Sequence, residues 1–174
     1  MTSSLVVGPL QGYRYWYAKW HGDQPVLQSV YRPTIWPAEG ALRATCEARP
    51  GSLSAWVRRV LARRTETHPA PAWGCGCGVY SLTRLKADEH PELLPQAPQR
   101  GPFDRGVHVV GAVLLWGRVI QHADGYRAEY ARPVKLLTVP ALVRGRGAQS
   151  LLDAVAERYA IHLVTRVEEL MCPA

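Results

Sequence analysis

The longest apolar stretch of the chain covers residues 107–122, where valine, leucine and isoleucine dominate. Such a run predicts a long, mostly buried β-strand. Residues 123–125 (Ala-Asp-Gly) are a tight-turn sequence, and residues 126–132 then alternate between two faces. The two segments predict a β-hairpin. We expect Pro133 to end the strand pairing, because proline has no backbone N–H to donate.

Two glycines, Gly111 and Gly117, interrupt the first strand of this hairpin. A glycine inside a strand commonly marks a bulge or a bend where the sheet changes direction. We therefore expect the strand to bend and the sheet that contains it to curl towards a partial barrel.

Shorter β-patterns lie on both sides of the hairpin. Aromatic and β-branched residues predict a strand over residues 13–20 and a returning strand over residues 26–31. Further short strands are predicted over residues 42–46, 79–82 and 161–165. Because turn sequences and polar loops separate most of these strands, antiparallel pairing is favoured.

Two segments have the helical spacing of apolar residues, in which positions i, i+3, i+4 and i+7 share one face. The first predicts a helix inside residues 46–77, and the second predicts a helix near the end of the chain. The first stripe consists of Leu53, Trp56, Val57, Val60 and Leu61, and the second of Ala148, Leu151, Leu152, Val155 and Tyr159.

These elements predict an α+β fold, with a curved, mainly antiparallel sheet that curls towards a partial barrel, two main helices and a zinc-pinned loop. The 174 residues suit a single domain, residues 1–174, with its own core. Residues 46–77 form a helical metal-binding excursion from this domain. Residues 86–106 are rich in proline and polar residues, have no periodicity, and predict a long loop.

Three of the four cysteines and one histidine gather within the excursion, as Cys46, His68, Cys75 and Cys77. Zn²⁺ binds thiolates and imidazoles in tetrahedral sites, and a Cys3His set closes the coordination sphere without an open position. Glycines alternate with the last two cysteines, and glycine lets a backbone wrap closely around an ion. The sequence therefore predicts a structural zinc site, although its spacing matches no standard zinc motif.

Three other interpretations of these four residues stay open. In the first, the cysteines are small apolar residues of a core, where free cysteines usually lie. In the second, two of them form a disulfide, which a reducing compartment disfavours. In the third, Cys75 or Cys77 is a nucleophile paired with His68, which requires a lowered pKa of the thiol.

The formal net charge is +7, from 21 basic and 14 acidic residues. Eighteen of the basic residues are arginine and the chain has no asparagine, a bias that GC-rich genomes produce. The charge permits attraction to polyanions without establishing it. Arg58 and Arg59 lie off the apolar stripe of the first predicted helix, where they form either a solvated basic face or a phosphate-binding patch.

Aromatic residues supply further candidates for binding. Trp36 and Trp116, together with Tyr13, Tyr15 and Trp16, could line a cleft in a curled sheet. Arginines beside such a cleft would suit it to RNA or to modified bases.

Polar residues near the predicted hairpin turn supply another candidate. His122 lies at the tip and faces Arg127 and Glu129 on the returning strand, so the three could form a polar cluster. The alternative is a surface ion pair between Arg127 and Glu129, worth under about 1 kcal/mol. The chain has no phosphate-binding glycine motif, no HExxH and no GxSxG sequence.

The sequence predicts neither a secretory signal nor a membrane span. The first residues lack a basic region followed by a long apolar run. No apolar run reaches the roughly 18 residues that a transmembrane helix needs. We therefore expect a cytoplasmic protein without membrane contact.

Several segments resemble those of an uncharacterised actinobacterial protein family. They are Trp36-Pro37, residues 75–80 (Cys-Gly-Cys-Gly-Val-Tyr), residues 115–119 (Leu-Trp-Gly-Arg-Val) and residues 125–131 (Gly-Tyr-Arg-Ala-Glu-Tyr-Ala). They are similar to the WP, CxCGxY, LWGxV and GYRAxxA segments of that family. The resemblance implies that the cysteine cluster is a family feature, and it implies no activity.

From these patterns we interpret the chain as a small, zinc-stabilised, non-enzymatic binding or adaptor module whose partner is nucleic acid or protein. The alternative is a thiol- or metal-dependent enzyme that uses Cys75 or Cys77 with His68. A purely structural role in a larger assembly is a third class. Chemistry at the site decides among these classes, because one fold can serve many functions.

Overall fold

The computed structural model describes residues 8–30, 33–46, 68–85, 106–138 and 147–173. The first predicted helix, with Arg58 and Arg59, and the predicted long loop lie outside the described residues, apart from Gly106. The strands are β1 (Leu10–His21), β2 (Gln24–Ser29), β3 (Leu42–Arg43), β4 (Val79–Leu82), β5 (Val107–Gln121), β6 (Gly125–Leu137) and β7 (His162–Val164). The helices are α1 (Ala148–Tyr159) and α2 (Val167–Met171).

Four antiparallel strands close into a small barrel. β1 pairs with β5, β5 with β6, β6 with β4, and β4 with β1, so the ring of hydrogen-bonded neighbours is complete. β2 extends the sheet beyond β1, while β3 and the parallel strand β7 pair with β6 farther along its length. The predicted α+β class with a curled, mainly antiparallel sheet is confirmed, and the curl is a closed barrel.

Bulges in β5 and β6 produce the bends that closure requires. The register shifts between Ala112 and Val113 and again between Trp116 and Val119. Gly117 has a φ of 75°, which disfavours other residues, and a Cβ at Gly111 would overlap the Lys135 carbonyl. Both glycines therefore have the role that the sequence predicts for them.

The prediction that Pro133 ends the hairpin pairing is wrong. β6 continues through Pro133 to Leu137, and Pro133 pairs with Val113 beside the first bulge. A bulge interrupts the regular ladder, so a residue without an N–H can lie there inside a strand. The strand is consequently long enough to contact β4, β3 and β7 in turn.

The core has two parts. The larger part joins the sheet to α1, with Trp16, Leu115 and Leu152 fully buried, and the smaller part joins it to α2 through Leu170. The predicted apolar stripe of α1 is the face it buries. The α2 helix has no counterpart among the predicted elements. None of the helices in the described ranges is long and apolar enough to cross a bilayer.

One hydroxyl group fixes α1 to the far edge of the sheet. The Tyr159 hydroxyl donates to the Trp36 carbonyl at 2.8 Å and accepts from the Leu27 backbone N–H at 3.1 Å. Trp36 also contacts Trp16 edge to face, with ring centroids 5.3 Å apart. These contacts bury Trp36, which lies in the segment that leads the chain from β2 towards β3 and Cys46.

Candidate metal centre

The four predicted metal ligands converge in space. Cys46 follows β3, while His68, Cys75 and Cys77 come from the segment before β4, residues 68–78, which we call the metal loop. One side-chain donor atom from each of the four residues lies within 4.8 Å of the others, and all four residues are partly buried. The residues thus form a Cys3His cluster that could bind a metal ion.

The distances between donor atoms are close to those of a tetrahedral site. The Cys46 and Cys75 Sγ atoms are 3.7 Å apart, and Cys46 Sγ lies 3.2 Å from His68 Nε2. Two thiolates about 2.3 Å from a zinc ion at the tetrahedral angle would be about 3.8 Å apart, and a thiolate and an imidazole nitrogen about 3.6 Å apart. All four cysteines of the chain are free thiols, so the disulfide interpretation is wrong for this structure.

The histidine is oriented as a ligand would be. His68 Nε2 faces the Cys46 sulfur, while Nδ1 lies 3.3 Å from the Pro69 carbonyl oxygen. In metalloproteins a ligating imidazole commonly donates its other N–H to a backbone carbonyl, which fixes the tautomer. His68 Nδ1 is also 4.0 Å from Cys77 Sγ, so the ring lies among the thiols.

The backbone of the metal loop needs glycine where it turns. Gly74 and Gly78 have φ values of 77° and 123°, in the region that side chains disfavour. A Cβ at Gly78 would also lie 3.0 Å from Arg127 Cβ and 3.1 Å from Pro71 Cβ. The close approach at Gly78 lets the loop lie directly against β6.

Arg127 of β6 connects the metal loop to the sheet through hydrogen bonds. Its side chain, which is only 5% exposed, donates to the carbonyl oxygens of Cys75 and Cys77. Its Nε donates to His122 Nε2 at 2.8 Å, and its guanidinium lies 5.9 Å from the centre of the Tyr80 ring. Arg127 therefore links the peptide groups of two predicted ligands to the hairpin tip.

The predicted polar cluster forms only in part. Arg127 contacts His122, but Glu129 points to other partners and accepts from the Arg118 backbone N–H at 3.4 Å. Glu129 also lies 3.6 Å from the Arg43 guanidinium. Among the described residues, no ion pair joins Arg127 to Glu129, so that alternative is wrong here.

With a metal ion bound, Arg127 would also compensate the net negative charge of the metal–thiolate group. Three thiolates and a neutral imidazole around a divalent cation carry a net charge of −1. A buried cation is costly unless an anion compensates it, and no carboxylate pairs with Arg127 among the described residues. An anionic metal–thiolate group beside Cys75 and Cys77 would supply that compensation.

The thiols differ in acidity because they share hydrogen bonds. The backbone N–H and side chain of Cys77 stabilise the Cys75 thiolate and lower the pKa of Cys75 to about 7. Desolvation, together with hydrogen bonding to Cys75, raises the pKa of Cys46 to about 11. Cys75 therefore loses its proton at a lower pH than Cys46, and a cation that binds both thiolates at neutral pH must displace the Cys46 proton.

The aromatic residues predicted to line one cleft separate into a buried group and an accessible residue. Tyr13, Trp16 and Trp36 are at most 6% exposed and belong to the core, so they do not line an open cleft. Tyr15 stacks on His108, with ring centroids 5.6 Å apart. Trp116 is partly exposed and stacks on Tyr130.

Trp116 lines an open groove of about 620 Å³ along the outside of the β5–β6 hairpin. We call this surface the groove, and it is lined by Gly8, Pro9, Leu114, Trp116, Gly117, Val119 and Arg132. Sequence patterns singled out Trp116 but missed Arg132 and Tyr130. Their positions opposite Leu114 and Trp116 depend on the register of the hairpin, which the bulges shift.

The chain matches no protein-family model, no curated protein and no solved structure. The resemblance to actinobacterial segments therefore stays a prediction. The geometry of the Cys3His cluster and the chemistry of its neighbours carry the functional argument that follows.

Proposed function

We propose that the protein is a zinc-stabilised, non-enzymatic binding module. The observation that carries the proposal is the convergence of three cysteine sulfurs and one imidazole from segments separated by more than twenty residues of sequence. Soft thiolates with imidazole in a tetrahedral arrangement favour Zn²⁺ over the oxygen-preferring ions Mg²⁺ and Ca²⁺. The ion would be held by Cys46, His68, Cys75 and Cys77.

The donor set supports a structural role for the metal. Four protein ligands complete a tetrahedron, whereas a catalytic zinc site keeps one position for water or substrate. Binding would join the end of the β3 segment to the metal loop, and the binding free energy would contribute directly to folding.

The enzymatic alternative has less support from the geometry. A nucleophilic cysteine needs a base within about 2.6–3.2 Å of its sulfur and an open approach for substrate. His68 Nε2 faces Cys46, and Cys77 Sγ lies 4.0 Å from Nδ1. The donors thus face one another as ligands do, and the imidazole of His68 is shared among Cys46, Cys75 and Cys77 and does not serve one thiol alone.

The partner that we propose for the module is a polyanion, with nucleic acid as the class. The net charge of +7 supports electrostatic attraction to phosphates. Exposed arginines and a partly exposed tryptophan lie together on the outside of the barrel. Four free thiols suit a reducing compartment, so a cytoplasmic location is part of the proposal.

Metal analysis tests the proposal directly. Protein purified without chelator should contain about one zinc per chain, and X-ray absorption should give about three sulfur neighbours near 2.3 Å and one nitrogen near 2.0 Å. Cys75→Ser should lose the metal, whereas Cys172→Ser, which changes an exposed cysteine outside the cluster, should keep it.

Two outcomes would contradict the proposal. Protein that binds no metal under these conditions, with four reactive thiols, would exclude the metal centre. A zinc ion with three protein ligands and a bound water would instead favour the enzymatic alternative. Thiol alkylation separates these cases further, since zinc-bound cysteines react slowly until a chelator removes the ion.

A further inference from the structure

The groove on the outside of the β5–β6 hairpin combines an aromatic platform with neighbouring arginine side chains. Trp116 and Tyr130 stack with their ring centroids 5.9 Å apart and an angle of 16° between their planes. The Arg43 guanidinium lies 5.6 Å from the centre of the Tyr130 ring. Trp116 is therefore supported from one side and lines the groove.

The surroundings of the groove are basic. Arg132 lines it and is exposed, and Arg118, next to Gly117, is also exposed. Arg43, behind the aromatic pair, is the third arginine. The carboxylate described near this surface, Glu129, already contacts Arg43 and the Arg118 backbone N–H. The groove consequently offers positive charge at an apolar, aromatic wall.

The metal loop contacts this surface through Arg118. The Arg118 guanidinium donates to the Pro69 carbonyl oxygen at 3.0 Å, and Pro69 follows the predicted ligand His68. Arg118, which follows the groove residue Gly117, is thereby held against the metal loop.

We propose that this groove binds single-stranded nucleic acid, with an unstacked base against Trp116 and a backbone phosphate at Arg132. An aromatic side chain beside an arginine suits a nucleotide because the base stacks while the phosphate pairs with the cation. A duplex hides the faces of its bases, so it cannot use the aromatic wall. The proposal rests on the proposed binding function and names its site and its partner.

Charge and shape favour this partner over a protein segment. Leu114, Trp116 and Val119 give the groove an apolar wall, and the exposed Arg132 places a cation in it. A protein partner would be expected to bring an apolar anchor, and its affinity would depend only weakly on salt. A single-stranded nucleic acid, in contrast, would use both the aromatic wall and the arginines.

Fluorescence titration tests the proposal. The probes are 12-nucleotide single strands of mixed sequence, as DNA and as RNA, and the same sequence as a duplex, with wild-type protein at 50 and 200 mM salt. We expect binding to the single strands, weaker binding to the duplex, and affinity that falls as salt rises. Trp116→Ala should weaken single-strand binding by about tenfold or more, the loss of one stacked base.

Matched variants separate stacking from charge. Arg132→Gln should weaken binding and reduce the slope of log affinity against log salt by about 0.7, the contribution of one phosphate on a single strand. Trp20→Ala, which removes another exposed tryptophan at the end of β1, should leave affinity unchanged. Trp116→Phe retains an aromatic face and should recover most of the binding, provided that circular dichroism shows both Trp116 variants folded.

Several results would overturn the proposal. They are an absence of single-strand binding at 50 mM salt, equal affinity for the duplex, affinity independent of salt, or an unchanged affinity in folded Trp116→Ala and Arg132→Gln. If the groove instead binds a partner protein stably and binds no nucleic acid, it is a protein-binding site and the proposal is overturned. A zinc-containing sample that binds the duplex but no single strand refutes this inference alone. A zinc-containing sample that binds neither also refutes the proposed nucleic-acid partner, whereas a metal-free sample that binds single strands refutes only the metal centre.

Discussion

The barrel and the metal loop are held together by different interactions. The barrel buries Trp16, Leu115 and Ala128 completely, and its strands hydrogen-bond around a closed ring. The metal loop buries only Ala70 and Pro71, exposes 75% of Trp73, and contacts β6 mainly through hydrogen bonds to Arg127. Apolar burial can stabilise the barrel without help, whereas bonds to the proposed metal ion would stabilise the conformation of the metal loop.

The comparison teaches how a short segment can be ordered without a core of its own. Residues 68–78 have few apolar side chains, three glycines and three prospective metal ligands. In the function that we propose, a bound metal ion would replace the missing apolar contacts by bonds to four residues. The barrel and the loop should therefore respond differently to mutation, and the following predictions begin with the largest effect.

Truncation in the barrel core should have the largest effect on stability. Trp16→Ala removes a completely buried indole that contacts Trp36, and we expect a loss of about 3–5 kcal/mol in the free energy of unfolding, measured by denaturant titration. Trp16→Phe should cost less, because the buried indole N–H has no hydrogen-bond partner. Folded Trp16→Ala should keep its metal, and a loss of metal from the folded variant would show that the two regions are not independent.

Removal of the metal should have the next largest effect. Chelator, or Cys75→Ser, should lower the free energy of unfolding by about 3 kcal/mol when free metal is near 100 times its dissociation constant. Far-UV circular dichroism of the barrel should persist, while proteolysis within residues 68–78 should accelerate. Cys172→Ser supplies the control, and a stability unaffected by chelator would refute the role given to the loop.

Arg127 should connect the two regions. Arg127→Gln leaves carbonyl oxygens of Cys75 and Cys77 without their donor, so we expect a loss of about 1–3 kcal/mol and metal affinity weakened by about 10- to 100-fold. Competition with a chromophoric chelator measures the affinity. Arg132→Gln, an exposed arginine on the same strand, should not change it. Partial recovery in Arg127→Lys would assign part of the effect to charge.

The hydroxyl of Tyr159 should have the smallest effect of the four. Tyr159→Phe removes two buried hydrogen bonds, and we expect a loss of about 1 kcal/mol without a change in metal affinity. Desolvation raises the pKa of this phenol above the ordinary value of 10.0. A pKa raised by folding gives a stabilisation that is complete below the unfolded pKa and is lost as pH rises through the folded pKa. Wild-type stability should therefore decline at alkaline pH more steeply than that of Tyr159→Phe.

Sequence patterns were sufficient for most elements of the barrel. The alternating residues of β6, the apolar run of β5 and the stripe of α1 each depend on local periodicity, which the chain expresses directly. The prediction for Pro133 was wrong because a proline fits inside β6 only beside a bulge. The position of that bulge depends on how β6 pairs with β5. The short helix α2 lacked a periodic signal of sufficient length.

The residues of the candidate sites also divide into those that the sequence identifies and those that only the fold identifies. Cys46, His68, Cys75 and Cys77 could be selected from their side-chain chemistry, because few residue types bind soft metals. Arg127 could be noticed but not assigned, since its contact with the cysteine carbonyls requires the metal loop to lie across β6. Trp36 and Trp116 have the same chemistry, and only their burial separates a core residue from a groove residue.

The sequence by itself determined the strand and helix patterns, the donor atoms of the metal centre and the positive net charge, because these depend on residue identity and local spacing. The tertiary structure decided that the sheet closes, that Cys46 meets the metal loop, and that Trp116, Tyr130 and Arg132 share a surface. These juxtapositions join residues far apart in the chain. They arise from the combined free energy of burial and strand pairing, which no local segment contains.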